Sequence, residues 1–165
     1  MLFDIFLTLL LVVLNGFFVA AEFAIVKVRY SQVEIKAKTG NQSAKIAKHI
    51  LQNLDGYLSA TQLGITLASL GLGWIGESVV TKVILGAFSL FGIAISPELA
   101  HQIALPVAFG TITILHIVFG ELAPKSIAIQ RPVTTTFALA IPLNIFYYIF
   151  RPFIWVLNGL ANVIL

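Results

Sequence analysis

The sequence predicts an all-α integral membrane protein, with three transmembrane helices and additional amphipathic and belt helices on the cytoplasmic side. Hydrophobic residues make up 59% of the 165 residues and charged residues only 10%, whereas soluble domains carry about 25% charged residues. The mean hydropathy is +0.99. The apolar residues also fall into runs long enough to cross a hydrocarbon core of about 30 Å. We therefore interpret residues 1–165 as one membrane domain.

The first apolar run, over about residues 2–26, predicts the first span. A cleaved signal peptide is the alternative, because residues 19–21 are small and resemble a cleavage site. However, residues 1–4 contain no basic side chain, and the apolar run continues without a break past residue 21. The pattern favours a span that is not cleaved.

The next stretch, residues 27–55, is here called the basic segment. It contains six of the ten basic residues, namely Lys27, Arg29, Lys36, Lys38, Lys45 and Lys48. The positive-inside rule places it in the cytoplasm and the N-terminus outside. We expect juxtamembrane helices over about 31–54, broken at Gly40 and Asn41. Apolar residues at helical spacing over 44–54 predict an amphipathic helix there.

Residues 57–74 predict the second span, and its polar residues share one helix face. Gln62, Thr66 and Ser69 lie at helical spacing on that face. Such a stripe is typical of helix–helix contact in membranes, and its side-chain oxygens are also candidate cation ligands. The glycines of 71–76 favour an end to the span there. Residues 77–100 then form either an outer hairpin or interfacial helix, or a prolongation of the second span.

The third predicted span, about 101–128, carries an acid beside a proline. A carboxylate in hydrocarbon costs at least about 2.5–3.5 kcal/mol, so Glu121 is a candidate functional group. Pro124 has no N–H, and in an α-helix this frees the carbonyl four residues earlier, on Gly120. The alternative is a proline kink in which Glu121 pairs with Lys125.

The last apolar stretch, residues 133–165, is interrupted by Arg151 and Pro152. This pair would be unfavourable at the middle of a span. We expect two interfacial pieces, 134–150 and 152–165, rather than a fourth span, which leaves the C-terminus cytoplasmic. Because the chain ends without a polar tail, we also expect that a soluble part follows it in a longer protein.

Each predicted span thus carries a polar face, and the first span contributes Asn15 and Glu22, seven residues apart. Glu22 could alternatively extend toward the basic segment. Packing the three faces together predicts an oxygen-lined cavity with net negative charge. Because the chain has no cysteine and only three histidines, such a cavity favours Mg2+ or Na+ over Zn2+ or copper. The predicted ligands are Glu121, Ser69, Asn15 and the Gly120 carbonyl, with Glu22, Gln62 and Thr66 as secondary candidates.

Three motifs, at residues 15–22 (NGFFVAAE), 61–69 (TQLGITLAS) and 120–125 (GELAPK), resemble the transmembrane domain of the CNNM/CorC family. The resemblance covers essentially the whole chain and reaches Ser69, Glu121 and the kink at Pro124 directly. Many members have serine where this chain has Val19, and some have asparagine where it has Glu22. Asn15 and Glu22 are therefore the candidate substitutes in the first span.

The resemblance implies magnesium transport across the bacterial inner membrane, generally efflux, with sodium as a candidate driving ion. It also implies a homodimer among membrane lipids, and a further C-terminal CBS-pair module that binds ATP. A membrane anchor and regulatory scaffold without transport is the alternative. We expect no enzyme activity, because no HExxH motif or nucleophile–base pair is present. We expect no nucleic-acid binding, because the basic residues do not alternate with exposed aromatics.

Overall fold

The computed structural model describes residues 2–90 and 97–164, and these are helical almost throughout. The helices are α1 (Leu2–Lys27), α2 (Tyr30–Lys38), α3 (Gln42–Gln52), α4 (Leu54–Leu90), α5 (Pro97–Leu115), a π-helical segment (His116–Leu122), α6 (Ala123–Gln130) and α7 (Pro132–Ile164). No strand occurs in these two ranges. The predicted all-α membrane fold is confirmed.

Four helical stretches in the described part of the chain are long and apolar enough to cross a membrane. They are Leu2–Lys27, Leu54–Leu90, His101–Gln130 and Pro132–Leu160. The first three contain the three predicted spans. The fourth is the stretch that we expect, from its sequence, to lie at the membrane interface. That expectation stays a prediction.

Helix α4 is longer than the sequence favours. It runs through the glycines at 71–76 and ends at Leu90, so the predicted end near residue 74 is wrong and the alternative of a prolonged helix is correct over that range. The physical reason is that a backbone in lipid has no water to bind, so a glycine-rich stretch keeps its helical hydrogen bonds. The remainder of the possible hairpin, residues 91–96, lies outside the described residues.

The basic segment folds as predicted into two helices separated by a turn. Gly40 has a φ of 89°, which favours glycine, and Asn41 caps α3 by accepting a hydrogen bond from the Ala44 amide at 3.0 Å. Helix α3 buries Ala44 and Ile50 on one face, as its amphipathic pattern indicates. Helix α2 is tied to α3 by an ion pair of 3.1 Å between Glu34 and Lys48. Hydrogen bonding to Lys48 lowers the pKa of Glu34.

Helix α7 is continuous, so the prediction of two separate pieces is wrong. Both Pro142 and Pro152 lie inside it. Each proline removes one backbone donor and bends a helix without having to end it. Arg151 is exposed on this helix, and a long arginine side chain on a helix surface can extend its charged end toward water.

Helix α1 is the central element, since it packs against α3, α4, the π-helical segment, α6 and α7. Its Lys27 end lies in the largest apolar core of the described chain. This core consists of Ala21, Ile25, Val28, Val33, Ala47, Ile50, Tyr57, Ala140 and Leu143. Several other helices thus fix the position of α1, and with it the position of the polar face that α1 carries.

Candidate cation site

Asn15 of α1 joins three of the predicted ligands into one hydrogen-bonded chain. Its side chain is only 1% exposed. The Ser69 hydroxyl donates to Asn15 Oδ1 at 3.1 Å, and Asn15 Nδ2 donates to the Gly120 carbonyl at 3.0 Å. The polar faces of the first, second and third predicted spans therefore meet at Asn15.

The π-helical segment His116–Leu122 lies directly before Pro124 and changes the expected backbone pattern. The Ala123 amide donates to the Val118 carbonyl, five residues earlier. With this spacing, the hydrogen bond that Pro124 cannot donate is one to the carbonyl of Phe119, not to that of Gly120. The argument from Pro124 for a free Gly120 carbonyl assumes a spacing of four, which does not hold directly before Pro124. The Gly120 oxygen accepts a hydrogen bond from Asn15 Nδ2.

Gly16 allows α1 to approach this kink closely. A Cβ atom at Gly16 would lie 2.9 Å from the Phe119 carbonyl oxygen and 2.9 Å from Pro124 Cγ. Real Cβ atoms essentially never come so near to other atoms. A glycine beside Asn15 is thus the residue that permits the hydrogen bond between Asn15 and Gly120.

Beside this hydrogen-bonded chain lies a cavity of about 230 Å3, here called the inner cavity. Its lining consists of Asn15, Val19, Glu22, Phe23, Gln62, Ile65, His116 and Glu121. Two carboxylates and two amides thus line one space. Across the described residues 2–90 and 97–164, however, no three histidine, aspartate or glutamate side chains lie close enough together to hold a metal ion by themselves. A mixture of charged and neutral oxygen ligands is the kind of set that hard cations prefer.

Glu121 forms no ion pair with Lys125, the pairing that would argue against a cation site. Within residues 2–90 and 97–164, no basic side chain forms an ion pair with it. Lys125 Nζ lies instead 4.5 Å from the centroid of the Phe23 ring, a distance typical of a cation–π interaction. The carboxylate of Glu121 is also exposed. It is therefore accessible to an ion in the inner cavity.

The secondary candidates divide between two spaces. Glu22 and Gln62 line both the inner cavity and a larger one of about 590 Å3, here called the outer cavity. The other residues that line the outer cavity are Leu58, Ser59, Leu63, Thr66, Leu157 and Asn158. Thr66 lines only the outer cavity and donates its hydroxyl to the backbone oxygen of Gln62 at 2.8 Å. The predicted stripe on the second span thus exists, but Ser69 and Thr66 on it face different surroundings.

Sequence reasoning missed two features of this site. The first is that the hydroxyl of the buried Thr61 donates to Glu22 at 3.4 Å. Thr61 directly precedes Gln62, and neighbouring residues of a helix point about 100° apart, so Thr61 lies outside the polar stripe. His116 also lines the inner cavity, although it is outside the predicted ligand set. It lies one helical turn before Gly120, and this spacing is the signal that could have identified it.

The comparisons with known proteins agree with this architecture. The sequence matches the family model of the cyclin M transmembrane N-terminal domain, CNNM, over residues 6–165. It is 48% identical over 155 residues to UPF0053 protein YrkA of Bacillus subtilis (strain 168), a match that covers 94% of this chain and 35% of that protein. It is 46% identical over 154 residues to UPF0053 protein YhdT of the same organism, covering 93% of this chain and 33% of that protein.

A mycobacterial relative gives the same result at lower identity. The chain is 37% identical over 161 residues to uncharacterized protein MT1889 of Mycobacterium tuberculosis (strain CDC 1551 / Oshkosh), covering 98% of this chain and 45% of that protein. The chain therefore spans about a third to less than half of the length of these relatives. Since the family model matches nearly all of its residues, the chain belongs to the CNNM family and is a membrane domain of that family.

Proposed function

We propose that this chain is the membrane domain of a magnesium transporter and that Mg2+ is its cargo. The observation that carries the proposal is the meeting of Asn15, Ser69 and the Gly120 carbonyl next to a cavity that Glu121 lines. A buried polar connection of this kind, with an adjacent carboxylate, is costly in a membrane unless it serves a function. The third predicted span also contains a π-helical segment, and such segments inside helices frequently occur at functional sites.

The chemistry of the inner cavity suits a partly hydrated Mg2+. The ion prefers six oxygens at about 2.0–2.1 Å and releases its waters reluctantly. A cavity of about 230 Å3 has room for the ion with several waters, since each water takes about 30 Å3 in the liquid. In this arrangement Glu121 supplies the charge, and the amide oxygens of Asn15 and Gln62 supply further contacts, directly or through those waters. Ser69 and Gly120 do not line this cavity and act on it through their hydrogen bonds to Asn15.

The finer points of this function belong to the same proposal. We expect efflux, with Na+ as a candidate coupling ion, by a homodimer in the bacterial inner membrane that has its N-terminus outside and its C-terminus in the cytoplasm. ATP would act only through a cytoplasmic domain outside this chain. We propose no enzymatic reaction. Glu22 and Gln62, which line both cavities, would form the boundary that the ion crosses between them.

The experiment that tests the function is Mg2+ flux into liposomes that contain the protein, measured with and without a Na+ gradient. Flux that depends on Glu121 supports the transporter. Mg2+ binding without any flux would instead favour the membrane scaffold.

Ser69→Ala is expected to weaken Mg2+ binding by about two- to tenfold, the range that a lost hydrogen bond of about 0.5–1.5 kcal/mol implies. The change removes the donor to Asn15 Oδ1 and a neutral oxygen, but no charge. Thr66→Val is the matched control, because it removes a hydroxyl from the same helix that bonds only its own backbone. We expect its affinity to equal that of the unsubstituted protein in calorimetric titration. Equal losses in the two variants would show that the stripe acts only in helix packing.

A further inference from the structure

A separate polar cavity lies between the amphipathic helix α3 and helix α7. Its volume is about 240 Å3, and its lining consists of Lys45, Ile46, His49, Asn144 and Tyr148. Lys45 and His49 are one turn apart on α3, and Asn144 and Tyr148 are one turn apart on α7. Each helix thus directs a pair of polar side chains into the same space.

The lining of this cavity offers hydrogen-bond donors and no carboxylate. A lysine ammonium has three donors and no acceptor, and histidine and tyrosine can each donate. The Tyr57 hydroxyl donates to Asn144 Oδ1, so the oxygen of that amide is engaged and its NH2 group remains a donor. In the described part of the basic segment the acidic partner Glu34 pairs with Lys48, not with Lys45. The cavity is therefore suited to an anion with several oxygens, such as a phosphate group.

The surface next to the cavity distinguishes a lipid phosphate from a soluble one. Tyr148 is 52% exposed, and its neighbours Ile145 and Ile149 are 55% and 65% exposed. These isoleucines are one turn apart on α7 and directly follow the two polar residues, so an apolar strip runs beside the donors. A free phosphate would leave this strip uncovered, whereas the acyl chains of a phospholipid would cover it.

We propose that this cavity binds the phosphate headgroup of an anionic phospholipid from the leaflet that faces the basic segment. Lys45 provides the charge, His49, Asn144 and Tyr148 provide directed hydrogen bonds, and the acyl chains lie along Ile145 and Ile149. This site is distinct from the cation site, because the two cavities share no lining residue. It would fix α3 against α7 at the membrane surface.

The test is a titration of the purified chain in neutral detergent with dioleoylphosphatidylglycerol, followed by thermal stability. We expect a concentration-dependent rise in melting temperature that phosphatidylcholine and inorganic phosphate do not produce. Lys45→Gln should weaken the apparent affinity about fivefold, the value expected for one lysine near an anionic lipid. Tyr148→Phe should weaken it although it changes no charge.

Lys36→Gln is the matched control, since it removes the same charge from an exposed position on α2, outside the cavity. We expect this variant to respond to phosphatidylglycerol as the unsubstituted chain does. Equal losses in Lys36→Gln and Lys45→Gln, with no loss in Tyr148→Phe, would mean diffuse attraction and would overturn the site. An equal response to inorganic phosphate would overturn the assignment to a lipid. If Lys45→Gln alone fails to fold, Tyr148→Phe still decides between these outcomes.

Discussion

Glu121→Gln is expected to weaken Mg2+ binding by more than about a hundredfold. Loss of a partner that only orients a metal ligand already costs about 10–100-fold, and Glu121 would be a charged ligand itself. The substitution keeps the size and shape of the side chain, so it leaves no void near the kink. The measurement is calorimetric titration of Mg2+ in detergent, with gel filtration to show that the variant remains folded.

Glu34→Gln is the control for this prediction. It also removes one carboxylate, but from the basic segment, where Glu34 pairs with Lys48 at 3.1 Å. We expect unchanged Mg2+ affinity for this variant and no Mg2+ flux in liposomes for Glu121→Gln. If Glu121→Gln binds Mg2+ as the unsubstituted protein does, the central ligand of the proposed site is misassigned.

Gly16→Ala is expected to lower the stability of the protein by about 1–3 kcal/mol, the usual cost of forcing an extra group into a packed position. The new methyl group would lie 2.9 Å from both a backbone oxygen and a proline ring, and neither can move as a flexible side chain would. Helix α1 would have to move away from the π-helical segment, which lengthens the hydrogen bond from Asn15 to Gly120. We therefore expect weaker Mg2+ binding together with a lower melting temperature.

Gly73→Ala is the matched control for packing. It makes the same chemical change in α4, where an added Cβ meets no atom within 4 Å. Because alanine is the better helix former by about 0.8–1.0 kcal/mol, its melting temperature should be equal to or above that of the unsubstituted protein. Equal melting temperatures for both variants would contradict the close approach of α1 at Gly16.

That polar faces of the three predicted spans meet could be predicted from the sequence. In lipid a hydrogen bond between polar side chains on two helices is favourable, because neither group has water as an alternative partner. Asn15 and Ser69 each lie on the polar face of their predicted span, and the structure joins them directly. The apolar runs predict α1 well for the same reason, since hydropathy alone largely determines whether a helix of that length is stable in a membrane.

The features that the sequence does not reveal depend on packing between helices. The π-helical segment exists in contact with Gly16, a residue distant in the sequence, and the argument from Pro124 assumes ordinary α-helical spacing. Gln62, Thr66 and Ser69 share one face of α4 but have different surroundings. This difference depends on where Glu22 lies against α4. The continuity of α7 through Pro142 and Pro152 is likewise not visible in the hydrophobic periodicity.

In the π-helical segment before Pro124, the direction in which Glu121 points depends on the spacing of the backbone hydrogen bonds. In an α-helix each residue advances the azimuth by about 100°, so a return of His116–Leu122 to ordinary α-helical pairing would swing Glu121 around the helix axis. Such a rotation would separate its carboxylate from Asn15 without unfolding any helix. A change in the spacing of a few backbone hydrogen bonds would therefore be enough to give the same ligand a second orientation.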